Sequence, residues 1–536
     1  MMDGVSRRLQ HFALGALTGL LSAGVAVGVG ELVAALVRPA ASPVIAVGNR
    51  FILLTPEPLK RWAIRQFGTG DKTSLLVGIY LAIAVFAVLL GILALRRLSY
   101  GVLGVGVLGA VGVYSALTAH AHQGSDVVPS VLGAVAGMLA LTSLVRFAGS
   151  TEHRPGTAAE RGGNSTEPAL LADRRRFLQG GLAAGGVAVF GGFGGRALQR
   201  SRFDASAARA AITLPAPVSP AGPAPGASAS PVAAAGFDLG KSGVPFLTPA
   251  RDFYRIDTAL SVPQLDPATW SLRIHGMVDR ELTLTYAQLL ARPLVERWVT
   301  LTCVSNEVGG NLISNARFRG VLLAELLREA GVDPAADQLL ATSSDGMTIG
   351  SPTAVVMDGR DSMLAVGMNG EPLPVEHGFP VRMVVPGLYG YVSACKWITD
   401  LQATTFDKYQ AYWVQGGWAA KGPIKLASRI DRPSSSESVA LGSQVPVAGI
   451  AWDQHVGVSK VEVQVDDEPW QQAILAPVPS VDTWRQWVYL WTPRTAGAHQ
   501  LRVRAYDGKG NLQSPATADP FPSGSSGYHS ITVRAH

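Results

Sequence analysis

The chain has 536 residues, of which 48% are hydrophobic and 16% are charged, and its formal net charge is +6 at pH 7. That length exceeds what one hydrophobic core accommodates and predicts three or four structural units. Residues 201–536 contain no dense basic stripe interleaved with aromatic residues, which argues against a nucleic-acid-binding protein. The two cysteines, Cys303 and Cys395, are too few for a disulfide-stabilised secreted domain, although one bridge between them stays open.

Residues 1–200 contain five long apolar runs that predict transmembrane helices. Each run is about 19–26 residues long, which is enough to cross the hydrocarbon core of a bilayer. The runs span residues 12–37, 74–95, 100–119, 127–145 and 177–195. Because the remainder of the chain has an ordinary globular composition, we expect a membrane region followed by a soluble region.

The placement of lysine and arginine predicts the orientation of these spans. Basic residues precede the first span, follow the second and recur through residues 146–176, which puts them all on one side if five helices cross. The opposite segment 38–73 is also basic and is interpreted as partly interfacial. We therefore expect a multi-pass cell-membrane protein with a cytoplasmic N-terminus and its soluble region on the extracytoplasmic side.

Two features of the membrane region have alternative interpretations. The Asp-Arg-Arg-Arg-Phe-Leu sequence at 173–178 resembles a twin-arginine export signal, but a run of cytoplasmic anchor arginines explains it equally well. The histidines of this region lie near span ends and do not face each other at one depth. They are therefore interpreted as interfacial residues and not as haem ligands; they are His11, His120 and His122.

The soluble region is predicted to have three parts. Residues 201–240 are rich in Pro, Ala and Ser and predict an extended linker. Residues 241–430 alternate short strands with short helices, which predicts an α+β domain. Residues 434–536 contain regularly spaced, alternating strands separated by turns, which predict an all-β immunoglobulin-like sandwich.

The segment 297–320 has the pattern of a site loop. Residues 299–302 are rich in β-branched side chains and alternate, so they predict a strand that ends at Cys303. Small and polar residues follow, and residues 321–331 have the apolar spacing and terminal glycine of a helix. A cysteine where a strand meets a loop is a frequent position for a functional residue.

Six motifs follow one another around and after this segment. They are Phe253-Tyr-Arg-Ile-Asp257, Thr300-Leu-Thr-Cys-Val-Ser-Asn306, Asn315-Ala-Arg-Phe-Arg-Gly320, Asn369-Gly-Glu-Pro-Leu-Pro374, His377-Gly-Phe-Pro-Val-Arg382 with Val385-Pro-Gly387, and Lys396-Trp397. In this order they resemble the sulfite oxidase family of molybdopterin-dependent oxidoreductases. The resemblance runs from residue 245 to the C-terminus and does not cover residues 1–200.

The resemblance implies a molybdenum cofactor, Mo-molybdopterin, bound through one protein thiolate, and Cys303 matches that metal ligand. A soft, anionic sulfur suits such a centre. Arg255 would orient the substrate, so Cys303 and Arg255 are the catalytic candidates. Basic residues at matching positions suit the phosphate of the cofactor. The cofactor-binding candidates are Phe253, Tyr254, Arg255, Asp257, Ser305, Asn306, Arg317, Asp345, His377, Arg382 and Lys396.

The sequence departs from the sulfite oxidase pattern near the expected substrate pocket. In that family two arginines follow the asparagine that corresponds to Asn306, whereas Glu307 and Val308 stand here. The family's active-site tyrosine aligns with Trp418. A pocket with one arginine, a carboxylate and an indole suits a doubly charged oxyanion poorly, because anion binding depends on converging cations. A neutral or organic substrate, such as a sulfoxide or an N-oxide, is at least as well supported as sulfite.

The sequence therefore predicts a membrane-anchored molybdenum oxidoreductase that transfers an oxygen atom to or from a small substrate. The resemblance and the membrane spans imply a quinone or cytochrome as electron partner and a homodimer formed through the C-terminal domain. An alternative is a non-catalytic, membrane-tethered binding or scaffold module that retains the fold. A second alternative makes the spans a fused electron-transfer partner.

Overall fold

The computed structural model describes residues 2–38, 41–56, 59, 62–63, 66–67, 70–119, 123–149, 167–202, 204–224, 238–239, 243–435 and 437–536. His120, His122 and residues 225–237 of the expected linker lie outside the described residues. The chain divides into two compact units. The first comprises Met1–Asp204 and Thr258–Val262, and the second comprises Ala205–Asp257 and Pro263–His536.

The described part of the first unit is mostly helical. Its helices are α1 (Met2–Val37), α2 (Pro43–Leu54), α3 (Asp71–Arg96), α4 (Leu98–Leu117), α5 (Val128–Gly149) and α6 (Glu167–Arg202). Five stretches are long and apolar enough to cross a membrane, namely His11–Val37, Lys72–Arg96, Leu98–Leu117, Gly124–Ala148 and Phe177–Gly195. They coincide with the five predicted runs. The arginine-rich sequence 173–178 lies inside α6.

Helix α1 packs closely against its neighbours through small residues. A Cβ added to Gly19 would overlap the carbonyl of Ala87 on α3, and one added to Gly91 would overlap the carbonyl of Gly15. Close backbone approach at glycine is the usual way in which membrane helices associate, because lipid gives little hydrophobic drive for their contact. The side chains of Arg38 and Asp126 form an ion pair (Nε to Oδ1, 2.7 Å) near the ends of α1 and α5.

We expect Gly19→Leu to destabilise the helical unit by roughly 2 kcal/mol or more, because the added side chain has to displace the α3 backbone. The measurement is the thermal midpoint of the full-length protein in detergent. Gly78→Leu is the matched control, since nothing lies within 4 Å of a Cβ added at Gly78 on α3. Equal midpoints for the two variants would contradict the expected packing.

The α+β part of the second unit contains two mixed or antiparallel sheets and short helices. One sheet has the order β2-β1-β10-β5-β6, and the other has the order β3-β4-β7-β8 with β9 on β7. The strands are β1 (Ser271–Gly276), β2 (Leu282–Thr285), β3 (Val295–Thr302), β4 (Ile313–Leu322), β5 (Gln338–Ser343), β6 (Thr348–Pro352), β7 (Met363–Met368), β8 (Glu371–Pro372), β9 (Arg382–Val384) and β10 (Ile398–Thr404). Helix α7 (Ala205–Ala210) precedes these strands in the chain. The other helices are α8 (Tyr286–Leu290), α9 (Leu323–Ala330), α10 (Thr353–Val356), α11 (Gly390–Ser393) and α12 (Tyr412–Gln415).

Helix α9 illustrates why these elements form and pack. Leu323, Leu326, Leu327 and Ala330 recur at helical spacing and are each fully buried. Gly331 ends the helix with a positive φ of 67°, a conformation that favours glycine. The buried face joins a core with strands of both sheets, so the two sheets share one hydrophobic interior.

Part of the expected linker is packed on this domain, which corrects the interpretation of residues 205–224. Arg209 Nε donates to Leu373 O (2.9 Å), and Val218 N donates to Leu294 O (2.8 Å). The cause is the position of β3 at the edge of its sheet, where unpaired main-chain groups accept a further extended segment. The residues that fill this segment are small and proline-rich, and composition alone suggested a linker.

The C-terminal part is a sandwich of two sheets with the orders β11-β13-β17-β16 and β12-β19-β18-β14-β15. Its strands are β11 (Ala427–Arg432), β12 (Ser438–Val439), β13 (Val445–Trp452), β14 (Val458–Val465), β15 (Gln471–Gln472), β16 (Ile474–Leu475), β17 (Arg485–Trp491), β18 (Gly497–Asp507) and β19 (His529–Ala535). The sandwich therefore begins at Ala427, earlier than the expected start at 434. Inward residues of both sheets form its core, with Trp487 fully buried.

Candidate active site

Cys303 lies at the junction between β3 and the loop that follows it. Its N–H donates to Leu312 O (2.9 Å), and its carbonyl accepts from Asn306 N (3.1 Å). The Asn306 side chain accepts a further hydrogen bond from Leu312 N (2.8 Å). Only 8% of Cys303 is exposed. The loop therefore presents a sulfur atom that is nearly buried and fixed in position.

Burial raises the pKa of the Cys303 thiol, and hydrogen bonds from the N–H and hydroxyl of Ser305 act in the opposite direction. A free thiol in this environment is mainly protonated, whereas a bound metal would deprotonate it. Cys395 is also unpaired and is 1% exposed. The Cys303–Cys395 bridge that the sequence left open is therefore not formed.

Arg382 is a buried cation whose hydrogen bonds go to main-chain carbonyls. Its Nη1 lies 3.2 Å from His377 O, and its Nη2 lies 3.4 Å from Ala394 O. Its Nε has no hydrogen-bond partner among the described residues. Burial lowers the pKa of Arg382 to about 10. A buried guanidinium with an unused donor is a group that an anionic ligand would satisfy.

Aromatic rings from the Phe253-Tyr254 motif line the same cluster. Phe253 stacks on Tyr254, with ring centroids 5.4 Å apart, and meets the edges of His377 (5.4 Å) and Phe318 (6.1 Å). The Arg382 guanidinium lies 5.8 Å from the centroid of Phe318. The pKa of Tyr254 is raised, first by burial and then by the charge of Cys303, while Arg382 lowers it. Tyr254 is thus within electrostatic range of both Cys303 and Arg382.

A second pair of cations meets at one carboxylate. Arg255 Nε lies 3.0 Å from Asp257 Oδ2, and Lys396 Nζ lies 2.6 Å from the same oxygen. The Asp257 and Lys396 side chains are 2% and 9% exposed, whereas that of Arg255 is 36% exposed. Arg255 is therefore the cation of this pair that solvent or a substrate can reach.

His377 is held as a neutral imidazole. Its pKa is lowered to about 3, first by burial and then by the charges of Arg382, Lys396 and Arg255. Its Nε2 lies 3.1 Å from Ala250 O. Because a carbonyl only accepts hydrogen bonds, Nε2 carries the proton and Nδ1 remains an acceptor.

These residues fit an anionic, phosphate-bearing cofactor. Arg382, Lys396 and Arg255 each lie within electrostatic range of His377. Arg255 and Lys396 share the carboxylate of Asp257, whereas the hydrogen bonds of buried Arg382 go to main-chain carbonyls, and a buried cation without a counter-charge is costly. The described residues contain no group of three or more His, Cys, Asp or Glu side chains able to hold a metal ion.

Arg317 lies apart from this cluster, whereas Asp345 is within electrostatic range of Cys395, as Arg382 and Lys396 are. Arg317 is on the face of β4 opposite to Phe318, since side chains alternate along a strand. Its Nε lies 3.5 Å from Glu296 Oε2, and its guanidinium lies 5.8 Å from the Trp298 ring centroid. Asp345 lies in the turn between β5 and β6, where its Oδ1 accepts from a neighbouring N–H (3.2 Å).

The three residues that depart from the sulfite oxidase pattern occupy different environments. Glu307 is exposed and Val308 is half-buried. Trp418 is 6% exposed and packs against Tyr391 (6.0 Å) and Phe521 (5.3 Å), measured between ring centroids. Its indole N–H is buried and has no acceptor among the described residues. An orphaned donor of this kind is available to a polar ligand.

Tyr389 is a site residue that the sequence did not single out. Its pKa is raised to about 12, mainly by burial, with contributions from the charges of Cys303 and Asp453. The neighbouring Gly390 lies close to the pocket, because a Cβ there would be 3.3 Å from Tyr254 Oη. The only available signal was its position directly after the Val385-Pro-Gly387 motif.

Asp453 gives a testable pH dependence. Its pKa is raised to about 7, first by burial and then by the charge of Asp507, while Lys509 lowers it. Between pH 4 and 7 the folded protein keeps a proton that the unfolded chain releases, so stability falls as pH rises through this window. We expect Asp453→Asn to reduce this pH-dependent loss of folding stability by up to roughly 4 kcal/mol. The measurement is the thermal midpoint at pH 5 and pH 8, with the exposed Asp467→Asn as control; an unchanged pH slope in Asp453→Asn would contradict it.

Comparison with known proteins agrees with this geometry. Residues 259–413 match the oxidoreductase molybdopterin binding domain, and residues 427–503 match a bacterial Ig domain. Human mitochondrial sulfite oxidase is 30% identical over 325 residues, covering 52% of this chain and 58% of that protein. The uncharacterised oxidoreductase YuiH of Bacillus subtilis is 32% identical over 157 residues, covering 29% of this chain and 76% of that protein. The chain thus spans 58% of the length of the human sulfite oxidase it matches.

The sulfane dehydrogenase SoxCD of Paracoccus pantotrophus is a similar solved structure, with a TM-score of 0.48 and 24% identity over 54% of this chain and 82% of that one. The fold and the matched domain define a molybdopterin-dependent oxidoreductase. Within that class, the chain belongs to the sulfite oxidase family. The resemblance seen in the motifs and the predicted immunoglobulin-like domain are both confirmed.

Proposed function

We propose that the protein is a membrane-anchored enzyme that transfers an oxygen atom to or from a small substrate at a molybdenum cofactor. The observation that carries the proposal is the pairing of a nearly buried thiol, Cys303, with a buried cation, Arg382, that has an unused donor. The thiol is a suitable ligand for a metal, and the guanidinium is a suitable partner for an anion. The molybdenum cofactor contains both.

In this proposal Cys303 is the protein ligand of the metal, and the N–H and hydroxyl of Ser305 stabilise its thiolate. Arg382 and Lys396 bind the anionic groups of the cofactor, and neutral His377 offers Nδ1 as an acceptor. When bound, the cofactor supplies two-electron redox chemistry and the exchangeable oxygen. The protein supplies position, charge and exclusion of water.

Arg255 is proposed to orient the substrate. Its guanidinium is the most exposed cation of the cluster, and Asp257 fixes one of its nitrogens while leaving others free to donate. Tyr254 lies next to it and keeps its phenol proton, because burial raises its pKa. The pocket therefore offers one cation and one neutral donor to a polar oxygen of the substrate.

We propose a neutral or organic oxide, such as a sulfoxide or an N-oxide, as the substrate class. Exposed Glu307 and apolar Val308 replace the two arginines that sulfite oxidases carry after the asparagine. The buried indole of Trp418 has a free N–H that suits a neutral oxygen acceptor. A doubly charged oxyanion would lack the converging cations that it requires.

The membrane part of the proposal is supported by five apolar helices and by the distribution of basic residues. It has the N-terminus in the cytoplasm and residues beyond 200 on the extracytoplasmic side. A quinone or a membrane cytochrome would then accept or supply the electrons, and the C-terminal domain would allow homodimer formation. A reporter enzyme fused after His536 that is active only outside the cytoplasm would support this orientation, and activity inside would contradict it.

The decisive experiment measures molybdenum in the purified full-length protein, followed by a screen with sulfite, sulfoxides and N-oxides. We expect about one molybdenum per chain and turnover of sulfoxide or N-oxide exceeding that of sulfite. Protein from a host unable to make the cofactor is the control. Metal-free protein from a competent host would instead favour a binding or scaffold module, for which the departures at Glu307 and Trp418 are the supporting observations.

A further inference from the structure

Strand β3, which leads to Cys303, is an edge strand of its sheet. All eight of its residues pair with β4, and β3 is the terminal strand of the order β3-β4-β7-β8. An edge strand leaves main-chain donors and acceptors unpaired unless something covers it. Near Cys303 the covering groups come from the C-terminal domain.

Thr300 makes most of the hydrogen bonds between this part of β3 and the C-terminal domain. Its N–H donates to Asp482 O (2.9 Å), and its hydroxyl accepts from Trp484 N (2.8 Å). Its carbonyl accepts from Gln454 Nε2 (3.0 Å). The hydroxyl also donates to Asn315 Oδ1 (2.9 Å) on β4. Every polar group of Thr300 is therefore engaged, and three of its partners belong to the C-terminal domain.

Gln454 reaches furthest toward the cysteine. Its Nε2 donates to Thr302 Oγ1 (3.1 Å) as well as to Thr300 O, and Thr302 immediately precedes Cys303. Gln454 is 3% exposed, so water does not replace these bonds readily. A buried donor that satisfies two acceptors on one strand restricts the movement of that strand relative to the donor.

The C-terminal domain also holds the loop on the other side of Cys303. Ser525 Oγ donates to Asn306 O (2.7 Å), and Arg429 Nη1 donates to Gly310 O (2.6 Å). His529 packs on Gly309 so closely that an added Cβ would lie 2.4 Å from its ring, and the φ of 77° at Gly309 independently favours glycine. The residues before and after the cysteine are thus fastened to the same domain.

We propose that Gln454 is a positioning residue for Cys303, and that the immunoglobulin-like domain holds the metal-ligand strand in place through it. The inference rests on the proposed function, in which Cys303 binds the metal. The cysteine sulfur has a fixed position only while both flanking segments are fixed. The C-terminal domain is therefore a structural part of the site itself.

The test compares Gln454→Met with wild-type full-length protein in detergent, prepared without cofactor. Methionine has a similar length but cannot donate to Thr300 O or Thr302 Oγ1. Iodoacetamide labelling is followed at each cysteine by peptide mass spectrometry, and Cys395 serves as the internal reference. We expect Cys303 to be labelled roughly tenfold faster in the variant, because two buried hydrogen bonds no longer oppose local opening. Labelling of Cys395 should not change.

Gln464→Met is the matched control, since Gln464 donates to Glu468 O (2.8 Å) within the same domain, away from β3. Unchanged labelling of Cys303 in Gln454→Met, or an equal increase at both cysteines, would overturn the proposal. If Gln454→Met does not fold, Ser525→Ala decides by the same criterion. Because the labelling uses cofactor-free protein, its outcome is independent of the metal content that tests the proposed function.

In molybdenum-loaded protein, the positioning role predicts a shift of the sulfur-to-metal absorption band in Gln454→Met with little loss of metal. A change in stability alone would not move that band. An unshifted band together with faster labelling of Cys303 would limit the role to cofactor-free protein and contradict positioning at the metal.

Discussion

Replacing Cys303 with serine is expected to abolish turnover and to lower bound molybdenum by at least about tenfold, while the soluble part keeps its fold. A serine hydroxyl is a harder and far less acidic donor than a thiol, so it suits a metal–sulfur centre poorly. The side chain is nearly buried but small, and serine has almost the same volume. Metal analysis and the circular dichroism spectrum of the purified variant provide the measurement.

Cys395→Ser is the matched control for this change. Cys395 is the second cysteine of the soluble region, and its Sγ contacts Lys396 O at 3.7 Å. We expect this variant to retain molybdenum and activity even if it is somewhat less stable. Full turnover in Cys303→Ser would reject the proposed ligand, and equal loss of metal in both variants would indicate a folding defect.

Arg382→Met is expected to have opposite effects on the cofactor-free and the loaded protein. In the cofactor-free protein the buried charge is unfavourable, and its lowered pKa corresponds to roughly 3 kcal/mol. Removing that charge should raise the thermal midpoint. In the loaded protein the same substitution removes a charged partner of the cofactor, and we expect retention to weaken by roughly 30-fold or more.

The measurement combines thermal midpoints of cofactor-free protein with the rate of molybdenum loss on dilution of loaded protein. Arg273→Met is the control, because Arg273 is half-exposed and paired with Glu281 (2.8 Å) on the surface of the same domain. A lower midpoint and unchanged retention in Arg382→Met would show that Arg382 is an ordinary structural cation. A change in retention in Arg273→Met would indicate a general effect of charge.

The C-terminal domain has two proposed roles. Homodimer formation, which the family resemblance implies, would need a surface of this domain that a second copy of the chain can reach. Positioning of Cys303, inferred from the hydrogen bonds of Gln454 and Ser525, uses the surface that faces β3. Both roles can coexist, and each predicts a different set of sensitive residues.

Several features could be read from the sequence because their signals are local. The five helices that are long and apolar enough to cross a membrane follow from uninterrupted apolar runs, in which every residue contributes to the same signal. Strand β14 follows from the alternation of apolar and polar residues, since one face of a sandwich strand is buried. The order of the six motifs indicated the family. That inference did not require the three-dimensional positions of Phe253, His377 and Arg382.

Other features depended on contacts between residues far apart in the chain. Arg317 and Phe318 are neighbours in one motif, but the alternation of β4 sends them to opposite faces of the sheet. Residues 205–224 have the composition of a linker, yet an exposed edge of β3 binds them. Gln454 is separated from Thr300 by 154 positions, and no local pattern marks it.

The sequence by itself therefore determined the class of protein and the five apolar helices long enough to cross a membrane, and it predicted Cys303 as the metal ligand. The length of an apolar run, the periodicity of a strand and the residues of a motif are all properties of short segments, so they can be recognised without coordinates. Only the tertiary structure decided which charged side chains share an environment with Cys303 and which groups hold its strand. Those relations arise from the packing of separate sheets, where hydrogen bonds and burial join residues that the chain itself keeps apart.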